Sequence, residues 1–201
     1  MRQQSARPRI LDAAHELMLT VGLARATTKE IAKAAGCSEA ALYKYFASKE
    51  ELFISVLAER LPKLGPLLEH LMEEPETHTV EENLTEIARR AALFYEQSFP
   101  IAASLYAETR LKRRHDAALR DMDAGPHRPI QSLDAYLRAE QRAGRVRADA
   151  DTFAAASLLL GACAQRAFAY DMTETGRPPQ SLDTFAAGIA RTLLAGVAGI
   201  A

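Results

Sequence analysis

Between residues 27 and 49 the chain gathers side chains suited to gripping a polyanion: the hydroxyls of Thr27, Thr28 and Ser38, the phenols of Tyr43 and Tyr45, and the ammonium of Lys49. Hydroxyls and free backbone N–H groups at helix starts receive phosphate oxygens, and phenols and ammonium groups donate to them. Elsewhere the residue types argue against catalysis. The histidines at 15, 70, 78, 115 and 127 show no HxxxH or HExxH spacing, and there is no GxGxxG, P-loop or nucleophile-elbow pattern. The expected chemistry is therefore binding, by a protein that is not an enzyme, with no metal and no cofactor implied.

The elements that position these groups follow from periodicity and capping. Ile10, Leu11, Ala14, Leu17, Met18 and Val21 recur at helical spacing and predict a helix over 8–22, stopped by Gly22. Thr27 with Glu30 forms a capping box that opens a short helix ending at Gly36; Ser38 opens a third, to about Phe46. Ser48 with Glu51 starts a fourth, loosened by Pro62, Gly65 and Pro66. Thr79 with Glu82 caps a helix to about Ser98, and Pro100 is expected to start another that runs to about Met122. Breaks at 73–79, 123–129 and 174–179 separate three more, over about 130–143, 151–168 and 181–196. The fold class expected is all-α, with about nine helices.

Within this frame Gly36 interrupts what would otherwise be one amphipathic helix. Two short helices that cross at about 90–120° need small residues at the contact and a residue at ease in the left-handed conformation. Ala32 lies one turn before Gly36, and Leu42, six residues after it, plugs the angle above Ile31 and Ala35. This Ala, Gly, Leu constellation is the helix-turn-helix signature, whose second helix enters the DNA major groove. A plain helical corner within an all-α core is the alternative reading of the same spacing.

The run GLARATTKEIAKAAGCSEAALYKYFASKEELF resembles the N-terminal DNA-binding domain of the tetracycline-repressor (TetR) family, a likeness that covers about residues 8–60. The resemblance implies a homodimeric transcriptional regulator that binds double-stranded operator DNA and senses a small-molecule effector through its C-terminal part. It also implies that Thr28, Ser38, Tyr43, Tyr45 and Lys49 meet DNA phosphates and that Phe46 is core. Cys37 stands where valine is usual and Ala40 where glycine is common. The candidates for facing bases are Glu39, Ala40, Ala41 and Lys44: lysine addresses guanine, glutamate accepts from cytosine, and alanine touches a thymine methyl.

The expected division is a DNA-binding domain over 1–60 and a helical regulatory, ligand-binding and dimerisation domain over 61–201. Residues 1–49 hold eight basic side chains against four acids, a net of +4 in a chain whose total is −1. Phosphate contact is thus expected at one end of an acidic body. In that body Phe94, Tyr95, Phe99, Tyr106, Leu133, Tyr136, Leu137, Cys163 and Phe168 are candidates to line an apolar cavity. The run from Arg110 to His115 reads as a solvated basic face, with two alternatives open: that it faces the DNA-binding domain or an anionic effector.

The alanines and glycines of 154–167 and 186–196 let backbones approach closely, which fits an intermolecular four-helix bundle built from the two C-terminal helices of each subunit. The apolar stretches Phe153 to Ala164 and Leu182 to Ala201 read as buried packing helices. Neither offers about 20 uninterrupted apolar residues, so no membrane partner is expected. Two distant cysteines and the lack of a secretory apolar run at the start point to the cytoplasm. Two other functions stay open on these residues: a helical ligand-binding protein whose helix-turn-helix no longer reads DNA, and a regulator controlled by protein partners alone.

Overall fold

The computed structural model describes residues 6–22, 25–60, 78–107, 109–121, 125, 127–171 and 178–197. Among these there is no strand, and nine helices appear: α1 Ala6–Thr20, α2 Thr28–Ala34, α3 Glu39–Leu42, α4 Lys49–Arg60, α5 Val80–Ala107, α6 Thr109–Asp121, α7 Arg128–Arg142, α8 Thr152–Asp171 and α9 Leu182–Ala195. The breaks expected at Pro62, Gly65 and Pro66, most of the loop before Thr79, and residues 122–124 and 174–177 lie outside the described residues.

Several of these helices start where a side chain satisfies backbone N–H groups that have no partner inside the helix, while α7 starts after His127 without such a bond and with Pro129 in its first turn. At α5 the Thr79 N–H donates to Glu82 Oε2 at 2.8 Å, and Glu82 N–H returns to Thr79 Oγ1 at 3.2 Å. The Thr79 N–H and the Thr79 hydroxyl, both donating to Oε2, hold the Glu82 carboxyl below its usual range. Asp151 accepts from Ala154 N–H ahead of α8, and Ser181 from Thr184 N–H ahead of α9. Gly144, at φ +75°, ends α7 with the Arg145 N–H bonded back to the Glu140 carbonyl.

One expectation fails. Pro100 does not start a helix; it lies inside α5, which runs without a break from Val80 to Ala107. A proline at this point removes one backbone bond and crowds the preceding turn, at a cost of about 3 kcal/mol. Downstream, Ile101 is fully buried and Leu105 nearly so, and their burial offsets that cost.

The helices group into two compact units, one of Met1–Leu61 with Gln97–Gly125 and the other of Pro62–Glu96 with Pro126–Ala201. The end of α5 and all of α6 thus pack with α1–α4, although the sequence reading places them in the second segment. In the first unit, Ile10, Leu11, Ala14 and Met18 of α1 meet Ile31, Leu42, Phe46, Leu52, Phe53 and Val56 in one core, to which Ile101 and Leu105 add. In the second, α7 and α8 form the main helix pair around Leu84, Ile87, Leu133, Tyr136, Leu137, Leu159, Leu160 and Cys163.

The helix α8 departs from expectation in another way. Its inner face is core, but Phe153, Leu158, Gly161 and Phe168 are exposed, so it is not a buried packing helix on all sides. Among the described residues it is the one helix long and apolar enough to cross a membrane, by length and composition. It nonetheless carries the buried Arg166, paired with Glu96 and lying over the ring of Phe185.

Two groups in the second core make stability depend on alkaline pH. Burial pushes the Cys163 thiol from 9.0 to about 12 and the Tyr136 phenol from 10.0 to about 12. The folded state keeps both protons where the unfolded chain has lost them, so this stabilisation is complete below pH 9.0 and is lost as pH rises toward 12. Denaturation midpoints followed from pH 8 to 11 are expected to fall from about pH 9 upward, and the Cys163→Ala variant to begin its decline about one pH unit later. A variant with the same onset as the parent would contradict this assignment.

Candidate nucleic-acid interface

The interface begins at the capping box of α2. Thr27 Oγ1 accepts from Glu30 N–H at 3.2 Å, and Glu30 Oε2 takes the Thr27 N–H at 3.1 Å and its hydroxyl at 2.7 Å. These bonds, with Arg25 and Lys49 nearby, hold the Glu30 carboxyl below its usual range. At the other end the chain reverses through Gly36, at φ +66°. The Cys37 N–H bonds to the Ala32 carbonyl at 2.9 Å and the Gly36 N–H to the Lys33 carbonyl at 3.2 Å. This is the two-bond closure that a left-handed residue just past a helix end permits.

Ser38 then caps α3, its Oγ accepting from Ala41 N–H at 3.1 Å. The helix is shorter than the sequence predicts. After Leu42 the N–H groups of Lys44 and Tyr45 bond three residues back, to Ala41 and Leu42, and the tightened turn drives Phe46 into the core. Beneath the bend Ile31, Ala32, Ala35 and Leu42 are all buried, the arrangement their spacing predicts.

Not every predicted contact residue faces outward. Thr28 is buried, and its Oγ1 donates to Glu39 Oε1 at 2.5 Å while standing 3.4 Å from the Tyr43 hydroxyl. The Thr28 hydroxyl and one oxygen of Glu39 are thereby engaged within the protein, where they tie α2 to α3. Thr27 and Ser38 serve as caps. The outward face of α3 and its turn comprises Ala40, the half-exposed Ala41, Lys44, Tyr43 at 47% exposure and Tyr45 at 43%. Lys49, the first residue of α4, lays its ammonium 5.1 Å from the ring centre of Phe53.

Sequence reasoning missed the residues that brace this unit. Arg7 makes a bidentate pair with Glu59 at 2.6 and 2.8 Å and lies over the Phe46 ring, and Arg60 reaches Asp12 at 2.7 Å. The Arg7 and Glu59 positions are 52 apart in the chain, so no local pattern signals them. The basic run is likewise drawn inward in part: Arg114 lies 3.5 Å from Glu50 on α4, and Lys112 pairs with Asp116 and covers the Tyr106 ring.

Of the cavity candidates, Leu133, Tyr136, Leu137 and Cys163 are buried together in the second unit, with Phe94 and Tyr95 packed against them as an edge-to-face pair. Tyr106, 66% exposed, and Phe99 belong to the first unit, and Phe168 faces outward. Asn83 donates to the Tyr136 hydroxyl at 2.9 Å. The neighbouring Glu140 is fully buried, with Oε2 held by Arg145 at 2.5 Å and Oε1 without a hydrogen-bond partner among the described residues. Among those residues no three His, Cys, Asp or Glu side chains group as a metal site.

A Gly-bent pair of short helices with an outward face of small, phenolic and basic side chains defines a helix-turn-helix DNA-binding protein. Residues 10–56 match the family described as bacterial regulatory proteins, tetR family, and residues 82–195 match the AefR-like transcriptional repressor C-terminal domain. The chain belongs to the TetR family of bacterial transcriptional regulators.

A helix-turn-helix-type transcriptional regulator of Mycobacterium tuberculosis is 45% identical over 64 residues, covering 32% of this chain and 32% of that protein. The match thus spans about a third of the length of such curated relatives. Among solved structures, GusR of Salmonella enterica is 26% identical, covers 97% of this chain and 98% of its own, and superposes with a TM-score of 0.66. FadR of Bacillus subtilis, solved in complex with stearoyl-CoA, has the same fold at 20% identity, with coverage of 95% and 99% and a TM-score of 0.67.

Proposed function

We propose that the protein is a repressor that binds a palindromic operator as a homodimer and leaves it when a small-molecule effector binds. The observation that carries this reading is the α2–α3 bend closed at Gly36, with Ala40, Lys44, Tyr43 and Tyr45 on its open face. Residues 1–60 would act as the DNA-binding domain. In it Ala40, Ala41 and Lys44, with the free oxygen of Glu39, address base edges, while Tyr43, Tyr45, Lys49 and the caps Thr27 and Ser38 address the backbone and Thr28 braces α2 against α3.

Residues 61–201 would supply effector binding and dimerisation. The apolar core around Tyr136, Leu137 and Cys163, with Phe94 and Tyr95 at its edge, is the candidate effector region. Leu158, 67% exposed on α8, and Gly161 and Gly188, where an added Cβ would meet nothing within 4 Å, leave room on α8 and α9 for the same helices of a second copy. In this reading the protein works in the cytoplasm, without catalysis or a membrane partner, and the outer face of α8 is covered by protein.

Titrating the full-length protein with duplex DNA from upstream of its own gene, at 50 and 200 mM salt, tests the reading. Expected is sequence-preferring binding that weakens steeply with salt, by a species that light scattering sizes as a dimer. Long-chain acyl-CoA is the first effector class to add, since a structure of the same fold was solved with stearoyl-CoA. An effector that couples by about 1–3 kcal/mol weakens operator binding 5- to 150-fold, and operator weakens effector binding equally. Binding indifferent to sequence and salt would sink the proposal.

A further inference from the structure

Arg9 differs from Arg7 and Arg60, the arginines on α1 and α4 that form ion pairs. Arg7 is held by Glu59 and Arg60 by Asp12, so the carboxylates that α1 and α4 bring to this side are already engaged. Arg9 is exposed and enters no hydrogen bond or ion pair among the described residues. Its guanidinium is nonetheless placed: Nη1 comes within 3.6 Å of where a Cβ on Gly36 would lie. A residue of the first helix thus sets a cation over the turn that joins α2 to α3, two residues before Ser38.

A planar guanidinium with five donors is matched by a phosphate, which it grips through two parallel hydrogen bonds. The described residues offer Arg9 no anion, and the turn beside it is the pivot of the element that meets DNA. We propose that Arg9 is a phosphate-contacting residue of the operator interface, clamping the DNA backbone beside the α2–α3 turn. This rests on the reading that the helix pair docks on duplex DNA. It extends the interface to α1, beyond the residues between 27 and 49.

The test is the upstream duplex titrated from 50 to 200 mM salt with the full-length wild type, Arg9→Ala and Arg9→Lys. Losing one phosphate contact lowers the slope of log affinity against log salt by about 0.9, so the advantage of wild type over Arg9→Ala should shrink about 3.5-fold across that range. Sequence preference should not change, Arg9→Lys should keep most of the slope, and the thermal midpoint of Arg9→Ala should match wild type. If wild type binds with a steep slope and Arg9→Ala is indistinguishable from it, the Arg9 assignment alone is overturned. A wild type without salt-dependent binding overturns the DNA reading and Arg9 together. An Arg9→Ala protein that loses affinity only as its thermal midpoint collapses assigns Arg9 to the fold.

Discussion

Leu42→Ala is expected to lower the unfolding free energy of the first unit by about 2–5 kcal/mol, with loss of operator binding. Leu42 is fully buried, and it is the one buried side chain of α3, a helix only four residues long. Little else inserts from α3 into the core, so the bend has few ways to collapse around the cavity. Urea unfolding should show a lower midpoint with an unchanged slope. Leu42→Met, which nearly conserves volume, should cost less than about 1.5 kcal/mol and keep most of the affinity. Equal effects from the two substitutions would mean that shape at this position does not hold the bend.

Arg145→Ala is expected to destabilise the second unit by about 3–5 kcal/mol, because it strips the counter-charge from a carboxylate that has no access to water. Glu140 is fully buried, one of its oxygens is already without a hydrogen-bond partner among the described residues, and Arg145 holds the other. The cost arises from the stranded charge and not from lost packing. Glu140→Leu added to Arg145→Ala should therefore recover much of the loss, and a double-mutant cycle measured by chemical denaturation reads the coupling directly. A double variant no more stable than Arg145→Ala alone would place the cost in the arginine's packing.

What was legible beforehand is what short sequence separations decide. The capping boxes of Thr27 with Glu30 and Thr79 with Glu82 close over three residues, and the Ala32, Gly36, Leu42 spacing closes over ten. The bonds that assign roles within the interface are longer. The Thr28 to Glu39 bond crosses the turn, so two residues that look like DNA contacts by type act in part on each other. Pro100 lies inside α5 because the rule that proline opens or breaks a helix yields to the burial of Ile101 and Leu105 on its far side. Periodicity marks Tyr106 and Leu133 as apolar alike, but not that they belong to different units.

The way the turn at Gly36 is closed bears on how readily this protein could acquire a new target sequence. Its two closing bonds are donated by backbone N–H groups and received by backbone carbonyls, and the brace beside them runs from Thr28 to Glu39 and the Tyr43 hydroxyl. The side chains at positions 40, 41 and 44 take no part in that framework. A library that varies those three positions and preserves Thr28, Gly36, Glu39 and Leu42 would therefore sample different operator preferences at nearly constant stability, so that the lettering of the reading head can drift while its angle is inherited.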